Sequence, residues 1–112
     1  DEALQADYLR DLLTAWFAHP STRGFTVWGF YEGTMWKPTA AFLRKDWSLK
    51  PNGRTWLDLV RKAWWTSASA RSAADGRAAV RAFHGRHRVT ATVGGKTVVT
   101  TMVLSPTSGE RP

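Results

Sequence analysis

Two tryptophans, Trp28 and Trp36, lie eight residues apart where a short apolar segment leads into an irregular loop. An indole ring presents a broad flat surface, and its N–H remains able to hydrogen-bond a hydroxyl group. A sugar ring suits such a surface, because one of its faces is a patch of C–H groups. The pair therefore predicts a flat-walled binding site for a ring-shaped ligand.

Glu32 and Lys37 lie beside these tryptophans, and the other eight carboxylates fall on predicted helix faces, in exposed loops or near the chain ends. Glycoside hydrolysis in its common form needs two carboxylates about 5 to 9 Å apart across the scissile bond. A lone Glu32 therefore predicts no catalysis, and we expect it to hydrogen-bond a loop amide or a sugar hydroxyl. Lys37 is a further candidate for substrate binding. No residue of this chain is predicted to be catalytic.

The other five tryptophans have different expected roles. Large aromatic residues are most often core residues. Trp47 lies in the loop, and the sequence assigns it neither to the core nor to the site. The remaining four lie on predicted helices and are expected to pack: Trp16, Trp56, Trp64 and Trp65.

The sequence offers little that could hold a metal ion or a cofactor. His84 and His87 flank Gly85, but no cysteine and no acidic residue nearby in sequence completes a set of ligands. A glycine-rich phosphate loop and a Gly-x-Ser-x-Gly motif are both absent from the sequence. We therefore expect no metal site and no cofactor.

The 112 residues suffice for one small domain, and the formal net charge is +7. This charge would suit nucleic acid, but the arginines of the second half alternate with apolar residues along predicted strands, as on a solvated sheet face. No apolar run approaches the roughly 18 residues that span a bilayer, so no membrane association is expected. The lack of cysteine leaves the compartment open. Asp1 lies in a predicted helix without an initiator methionine, so we expect a piece of a longer protein.

The first half of the chain has the pattern of an α/β fold. Apolar residues at helical spacing predict a helix with one buried face over residues 3–18. Residues 25–30 are almost continuously apolar and β-prone, which predicts a strand buried on both faces in a parallel sheet. An irregular stretch over 31–50, with a short helix near 39–43, leads to a second helix over 51–64. The order of helix, loop and buried strand favours the α/β class.

The second half has a period of two in place of the helical period. Gly94-Gly95 is a strong signal for a two-residue hairpin turn. The expected segments are a linker over 66–76, strands over 77–83, 88–93 and 97–104 that form a small antiparallel β-meander within 77–105, and a disordered tail over 106–112.

Five blocks of the first half have distinctive residue types and spacings: Gln5 to Pro20, Gly24 to Phe30, Trp36-Lys-Pro38, Lys50-Pro51 and Trp56 to Val60. Together they resemble the carboxyl-terminal part of glycoside hydrolase family 10, the endo-1,4-β-xylanase family. The resemblance covers about residues 3–65. Residues 83–85 and 89–97 likewise resemble the small β extension found behind the barrel in some members.

This resemblance implies a place for each element in a (β/α)8 TIM barrel. Residues 3–18 would be its seventh helix, 25–30 its eighth strand and 51–64 its eighth helix, with the loop 31–50 over the active-site face. The barrel segment would occupy residues 1–65. The missing N-terminal barrel segments would then be partners of this piece, because a barrel strand needs a parallel neighbour on each side.

The resemblance also implies a function for the whole protein. It would be a secreted, extracellular enzyme that hydrolyses β-1,4-xylan by a retaining two-glutamate mechanism. Trp28 would form part of the wall of the subsite where the sugar is cleaved, and Trp36 would fold over the glycone side of the cleft. Both glutamates of the family would precede Asp1, so we expect this chain alone to be inactive.

Two further interpretations remain open. The chain could be a stand-alone carbohydrate-binding or structural piece, in which the same tryptophans grip a glycan without cutting it. It could also be a basic nucleic-acid-binding module, whose binding would weaken steeply with salt. Sugar binding should respond little to salt, which separates the third interpretation from the first two.

Overall fold

The computed structural model describes residues 1–106, which mix helices with a two-stranded antiparallel sheet. The chain divides into two compact units, Asp1–Trp64 and Trp65–Pro112. The first unit contains helix α1 (Glu2–Ala18), a 3-10 turn (Pro38–Ala40), helix α2 (Pro51–Asp58) and a π-helical continuation (Leu59–Ala63). The second unit contains strands β1 (Gly85–Val93) and β2 (Lys96–Leu104).

Helix α1 has the extent that the sequence predicts. The Asp1 carboxylate caps it by accepting hydrogen bonds from the backbone N–H groups of Ala3 and Leu4, at 2.8 and 3.3 Å. Such a cap satisfies donors that the first turn leaves unpaired. The helix stops before His19, whose extended backbone is favoured by the proline that follows.

The predicted apolar stripe of α1 is largely uncovered, which corrects the expectation of one buried helix face. Leu13 is buried, whereas Leu4, Tyr8, Trp16 and Phe17 are all exposed. A stripe becomes buried only where another element packs on it. Within residues 1–106, the contacts of α1 with other elements are mainly those with α2, and these leave much of the stripe open.

Residues 25–30 form an extended segment and no strand, so the predicted barrel-type strand is absent as such. Alternate residues of the segment are half-buried and exposed, as expected for extended backbone. Strand formation needs a hydrogen-bonded neighbour, and the backbone groups of residues 25–29 have none within the described part of the chain. Just after this segment, Tyr31 forms an isolated parallel β-bridge with Leu43.

Helix α2 begins at Pro51, as predicted, and proline suits this position because a first-turn N–H has no helical partner. Beyond Asp58 the chain remains helical to Ala63 but with the wider π geometry, in which the Trp64 N–H donates to the Leu59 carbonyl at 2.9 Å. The short helix expected near 39–43 is a 3-10 turn at Pro38–Ala40.

A buried amide joins the two helices to the loop between them. The Asn52 side chain donates to the Ala41 carbonyl at 3.3 Å and to the Gln5 side-chain oxygen at 3.4 Å. Gln5 in turn donates to the Thr39 carbonyl at 3.2 Å. Buried polar groups require partners of this kind, so the network fixes α1, the loop and α2 relative to one another.

The second unit is a hairpin of two strands, and the expected three-stranded meander is wrong. Strands β1 and β2 pair from Gly85↔Leu104 to Val93↔Lys96. Gly94 and Gly95 have φ of 55° and 76°, the positive values that a type I′ turn requires, and this confirms the predicted turn. Residues 77–83 form no strand, and three alanines in that stretch lower its β propensity.

The predicted tail, 106–112, lies outside the described residues except for Pro106. Neither helix of the described chain is long and apolar enough to cross a membrane.

We predict that Gly53→Ala destabilises the first unit. A Cβ at this buried position would lie 2.6 Å from the Phe42 carbonyl oxygen and 2.9 Å from a methyl carbon of Leu49. The shifts of backbone and side chains that are needed to remove this overlap should lower the free energy of unfolding by about 1 to 3 kcal/mol. Chemical denaturation measures this change. Gly24→Ala is the matched control, since a Cβ there meets nothing within 4 Å. Equal stability of the two variants would contradict the close packing.

Candidate functional site

Trp28 and Trp36 lie on one shallow cleft of the first unit. The exposed fractions of the two residues are 88% and 74%. Such exposure is unusual for the largest apolar side chains, which are normally well covered. The cleft has a volume of about 200 Å³ and is lined by Trp28, Gly29, Tyr31, Thr34, Met35 and Trp36.

The alternation of the extended segment places Trp28 on this cleft. Phe25 turns inward, where its ring lies 5.8 Å from that of Trp16 and 5.7 Å from that of Trp56. Because successive side chains of extended backbone point to opposite sides, Trp28 points away from the side that Phe25 occupies. The aromatic contacts of Phe25 therefore hold Trp28 outward.

A tight turn brings Trp36 back toward Trp28. The backbone N–H of Met35 donates to the Tyr31 carbonyl at 3.2 Å. The Met35 thioether then covers Gly29, where a Cβ would lie 3.3 Å from its sulfur. The small size of Gly29 thus lets the turn fold against the segment that carries Trp28.

Glu32 is held by the protein itself. One carboxylate oxygen lies 3.2 Å from the Lys50 ammonium, and the other accepts the Lys45 backbone N–H at 3.2 Å. The Lys50 side chain is only 3% exposed, and its ammonium also donates to the Pro38 carbonyl at 2.9 Å. A buried ammonium requires such partners. The arrangement suits a structural carboxylate that fastens the loop, one of the two roles expected for Glu32.

Trp47 stacks on Tyr31, which also lines the cleft of Trp28 and Trp36. The ring centroids are 4.3 Å apart, and the Tyr31 hydroxyl donates to the Lys45 carbonyl at 3.0 Å. Trp47 has φ of 67°, a conformation that non-glycine residues adopt rarely. The Asp46 carboxylate supports this turn by accepting the Ser48 N–H at 2.9 Å, and hydrogen bonds from Ser48 lower the pKa of Asp46.

Lys37 and Arg44 are the two basic residues nearest to Trp36 in sequence. The Lys37 ammonium lies 5.0 Å from the ring centroid of Trp36, within cation–π range. Arg44 binds Glu2 with two hydrogen bonds of 2.7 Å, which tie the loop to the start of α1. The hydrogen bond from Arg44 is the main cause of the lowered pKa of Glu2.

The tryptophans that the sequence assigns to packing make contacts, but not all of them are buried. Trp16 donates from its indole N–H to the Gly24 carbonyl at 2.9 Å, and Trp64 stacks on Phe17 with ring centroids 4.2 Å apart. Trp56 lies against Phe25 and also 5.6 Å from the ring of Phe42. Trp16 and Trp65 are nonetheless 43% and 59% exposed.

Aromatic rings also line a larger cavity of the first unit. It measures about 420 Å³ and lies between α1, residues 22–25 and α2.

No group of three or more His, Asp or Glu side chains suited to a metal ion occurs in residues 1–106. His87 instead has a ring nitrogen 2.8 Å from the Phe83 carbonyl oxygen.

Sequence reasoning missed the residues that support the site. Lys50, Asn52 and Gly53 are buried around the start of α2. Asparagine and glycine are poor helix formers, and their presence in the first turn after Pro51 was a signal for a special packing role. The buried lysine has no comparable signal, because lysine is normally exposed.

The chain is similar in sequence to segments of proteins that are named as an anti-sigma factor and as xylanases. It is 36% identical over 97 residues to the anti-sigma-I factor RsgI6 of Acetivibrio thermocellus, which covers 86% of this chain and 13% of that protein. It is 26% identical over 112 residues to endo-1,4-beta-xylanase 3 of Arabidopsis thaliana, which covers 100% of this chain and 14% of the xylanase.

Endo-1,4-beta-xylanase 2 of the same plant is 26% identical over 104 residues, or 93% of this chain and 10% of the xylanase. The chain thus spans between 10% and 14% of the length of these three relatives. No protein-family model matches it. No solved structure matches it either.

We predict that Glu32→Gln destabilises the first unit by about 3 kcal/mol, because it leaves the buried Lys50 ammonium without a counter-charge. Thermal or chemical denaturation measures the loss. Asp58→Asn is the matched control, since Asp58 pairs with Lys62 at 2.6 Å on an exposed helix face. That change should cost less than about 1 kcal/mol. A cost for Glu32→Gln no greater than that of the control would contradict the role of the buried pair.

Proposed function

We propose that this chain is the carboxyl-terminal part of a barrel resembling glycoside hydrolase family 10, and that Trp28 and Trp36 bind β-1,4-xylan. The observation that carries the proposal is the presentation of two exposed indoles on one cleft, at the end of an extended segment. Similarity to plant xylanases over most of the chain supports it. Indole faces suit the C–H faces of sugars, while the indole N–H groups can bond hydroxyl groups.

In this proposal α1 is barrel helix seven, residues 25–30 are strand eight and α2 with its π-helical turn is helix eight. The extended segment supports the assignment, because its unpartnered backbone groups would be satisfied by parallel strands on either side. The barrel segment then covers residues 1–65. Residues 66–76 would link it to the β extension, which we assign to 77–105.

The loop 31–50 would lie at the carboxyl end of strand eight. In (β/α)8 barrels the active site is built at that face from such loops. The ion pair between Glu32 and Lys50 would keep the loop in place while a polysaccharide moves across it. Lys37, close to the Trp36 ring, would be positioned to donate a hydrogen bond to a sugar hydroxyl.

We assign hydrolysis to the whole protein and not to this segment. A retaining mechanism needs an acid/base and a nucleophile, and both would come from parts of the barrel outside this chain. Glu32 is unsuited to either role here, because both of its oxygens already have partners. The chain would contribute binding energy and orientation of the sugar. A polymeric substrate also suggests an extracellular enzyme, and no cofactor is required.

A second function is binding of a glycan by Trp28 and Trp36 without hydrolysis. It is compatible with the relative that is named as an anti-sigma factor and not as a hydrolase. A reducing-sugar assay with xylan, on a full-length protein that contains the segment, separates the two functions. Hydrolysis supports the enzyme, whereas binding without hydrolysis supports the glycan-binding function.

We predict that Trp28→Ala and Trp36→Ala each weaken binding of xylohexaose by about tenfold or more. A tenfold loss corresponds to about 1.4 kcal/mol, a modest value for a buried aromatic contact. Isothermal titration calorimetry on the 112-residue chain measures the affinity.

Trp65→Ala is the matched control, because it removes another exposed indole from the second unit. Its affinity should equal that of the unaltered chain. Equal losses in all three variants would indicate nonspecific contact with aromatic residues. Unchanged binding in the variants of Trp28 and Trp36 would contradict the proposed site.

A further inference from the structure

Positive charge is concentrated in the second unit. In the first unit several basic side chains form ion pairs with carboxylates, among them Arg44 with Glu2 and Lys50 with Glu32. Residues 65–106 contain one acidic residue, Asp75, and six basic residues: Arg71, Arg77, Arg81, Arg86, Arg88 and Lys96. The second unit therefore has an excess of positive charge that its own described residues cannot neutralise.

Two of these arginines share one face of the hairpin. In an antiparallel pair, residues directly opposite each other lie on the same face, and so do alternate residues of one strand. Arg86 pairs with Val103 and Arg88 with Thr101. The face continues toward the turn with Thr90 opposite Val99 and Thr92 opposite Thr97, and we call it the Arg/Thr face.

The contacts confirm this arrangement and show that the face is open. The hydroxyl oxygens of Thr92 and Thr97 are 3.1 Å apart, as the register requires. Arg86 and Arg88 are both exposed. The Cα atoms of Arg86 and Arg88 lie about 7 Å apart along β1. Within residues 1–106 neither guanidinium has an ion-pair partner, and both lie on the face that carries the threonine hydroxyls.

We propose that the Arg/Thr face binds the carboxylate groups of an acidic polysaccharide, a glycan that carries uronic acid residues. Guanidinium groups recognise carboxylates through paired parallel hydrogen bonds. Threonine hydroxyls can both donate to and accept from sugar hydroxyls. The proposal rests on the proposed function, in which the first unit binds a β-1,4-linked polysaccharide, and it extends that function to a second surface with its own chemistry.

Nucleic acid is the competing partner for this face. A two-stranded ribbon can enter the major groove of DNA, and exposed arginines suit phosphates. Proteins that bind single strands, however, interleave basic with aromatic residues, and the Arg/Thr face carries no aromatic side chain among the described residues. The similarity to xylanases also favours a sugar polymer.

The test compares two forms of one polymer. The probes are β-1,4-xylan with uronic acid branches and the same xylan after chemical reduction of its carboxyl groups to alcohols. Affinity electrophoresis or titration on the 112-residue chain, at low and at moderate salt, measures the preference for the acidic form. We expect a preference of about tenfold at low salt that declines as salt screens the charges.

Arg86→Gln/Arg88→Gln should abolish the preference while leaving binding of the reduced xylan unchanged. Arg71→Gln/Arg77→Gln removes the same charge from the same unit outside the Arg/Thr face, and it should retain most of the preference. Circular dichroism checks that both double variants keep the hairpin.

Equal preference in the two double variants would overturn the proposal, and so would tighter binding of duplex DNA than of acidic xylan through Arg86 and Arg88. Failure of the tryptophan site gives a different result. In that case the reduced xylan is not bound, while the acidic xylan is still bound and is released by Arg86→Gln/Arg88→Gln. If neither polymer is bound, both proposals are wrong.

Discussion

The buried ammonium of Lys50 is the constraint on which the candidate site depends. A charge this well covered must be neutralised and hydrogen-bonded, and here Glu32 and the Pro38 carbonyl provide both. The same residue donates its backbone N–H to the Phe42 carbonyl at 2.8 Å, and at the N-cap position of α2 its carbonyl accepts the Arg54 N–H at 3.0 Å. One side chain and its backbone thus connect the loop that carries Trp36 to the helix that follows it.

The loop and the extended segment before it differ in how their polar groups are satisfied. The loop is closed by its own bonds, including the bridges of Leu43 with Tyr31 and with Leu49. The backbone of residues 25–29, by contrast, finds no partner among residues 1–106. The proposed barrel would account for both features, because neighbouring strands would complete the segment while the loop stayed free to face a ligand.

The sequence predicted the elements that depend on local chemistry. The capped helix before a proline, the helix that begins at Pro51 and the Gly94-Gly95 turn all follow from such rules. It failed where partners decide the outcome, as in residues 25–30 and in the uncovered stripe of α1. For the site, the position of Trp28 near the end of the extended segment and of Trp36 in the loop after it was the signal for exposed rings, whereas the supporting Lys50 has no signal that spacing alone reveals.

The central claim is that Trp28 and Trp36 together form the sugar-binding surface. The most direct test follows the indole N–H resonances of the seven tryptophans by nuclear magnetic resonance during titration with xylohexaose. The account predicts that the signals of Trp28 and Trp36 shift, while that of Trp16, which is bonded to the Gly24 carbonyl, stays in place. Shifts confined to other tryptophans, or no shift at saturating sugar, would contradict it.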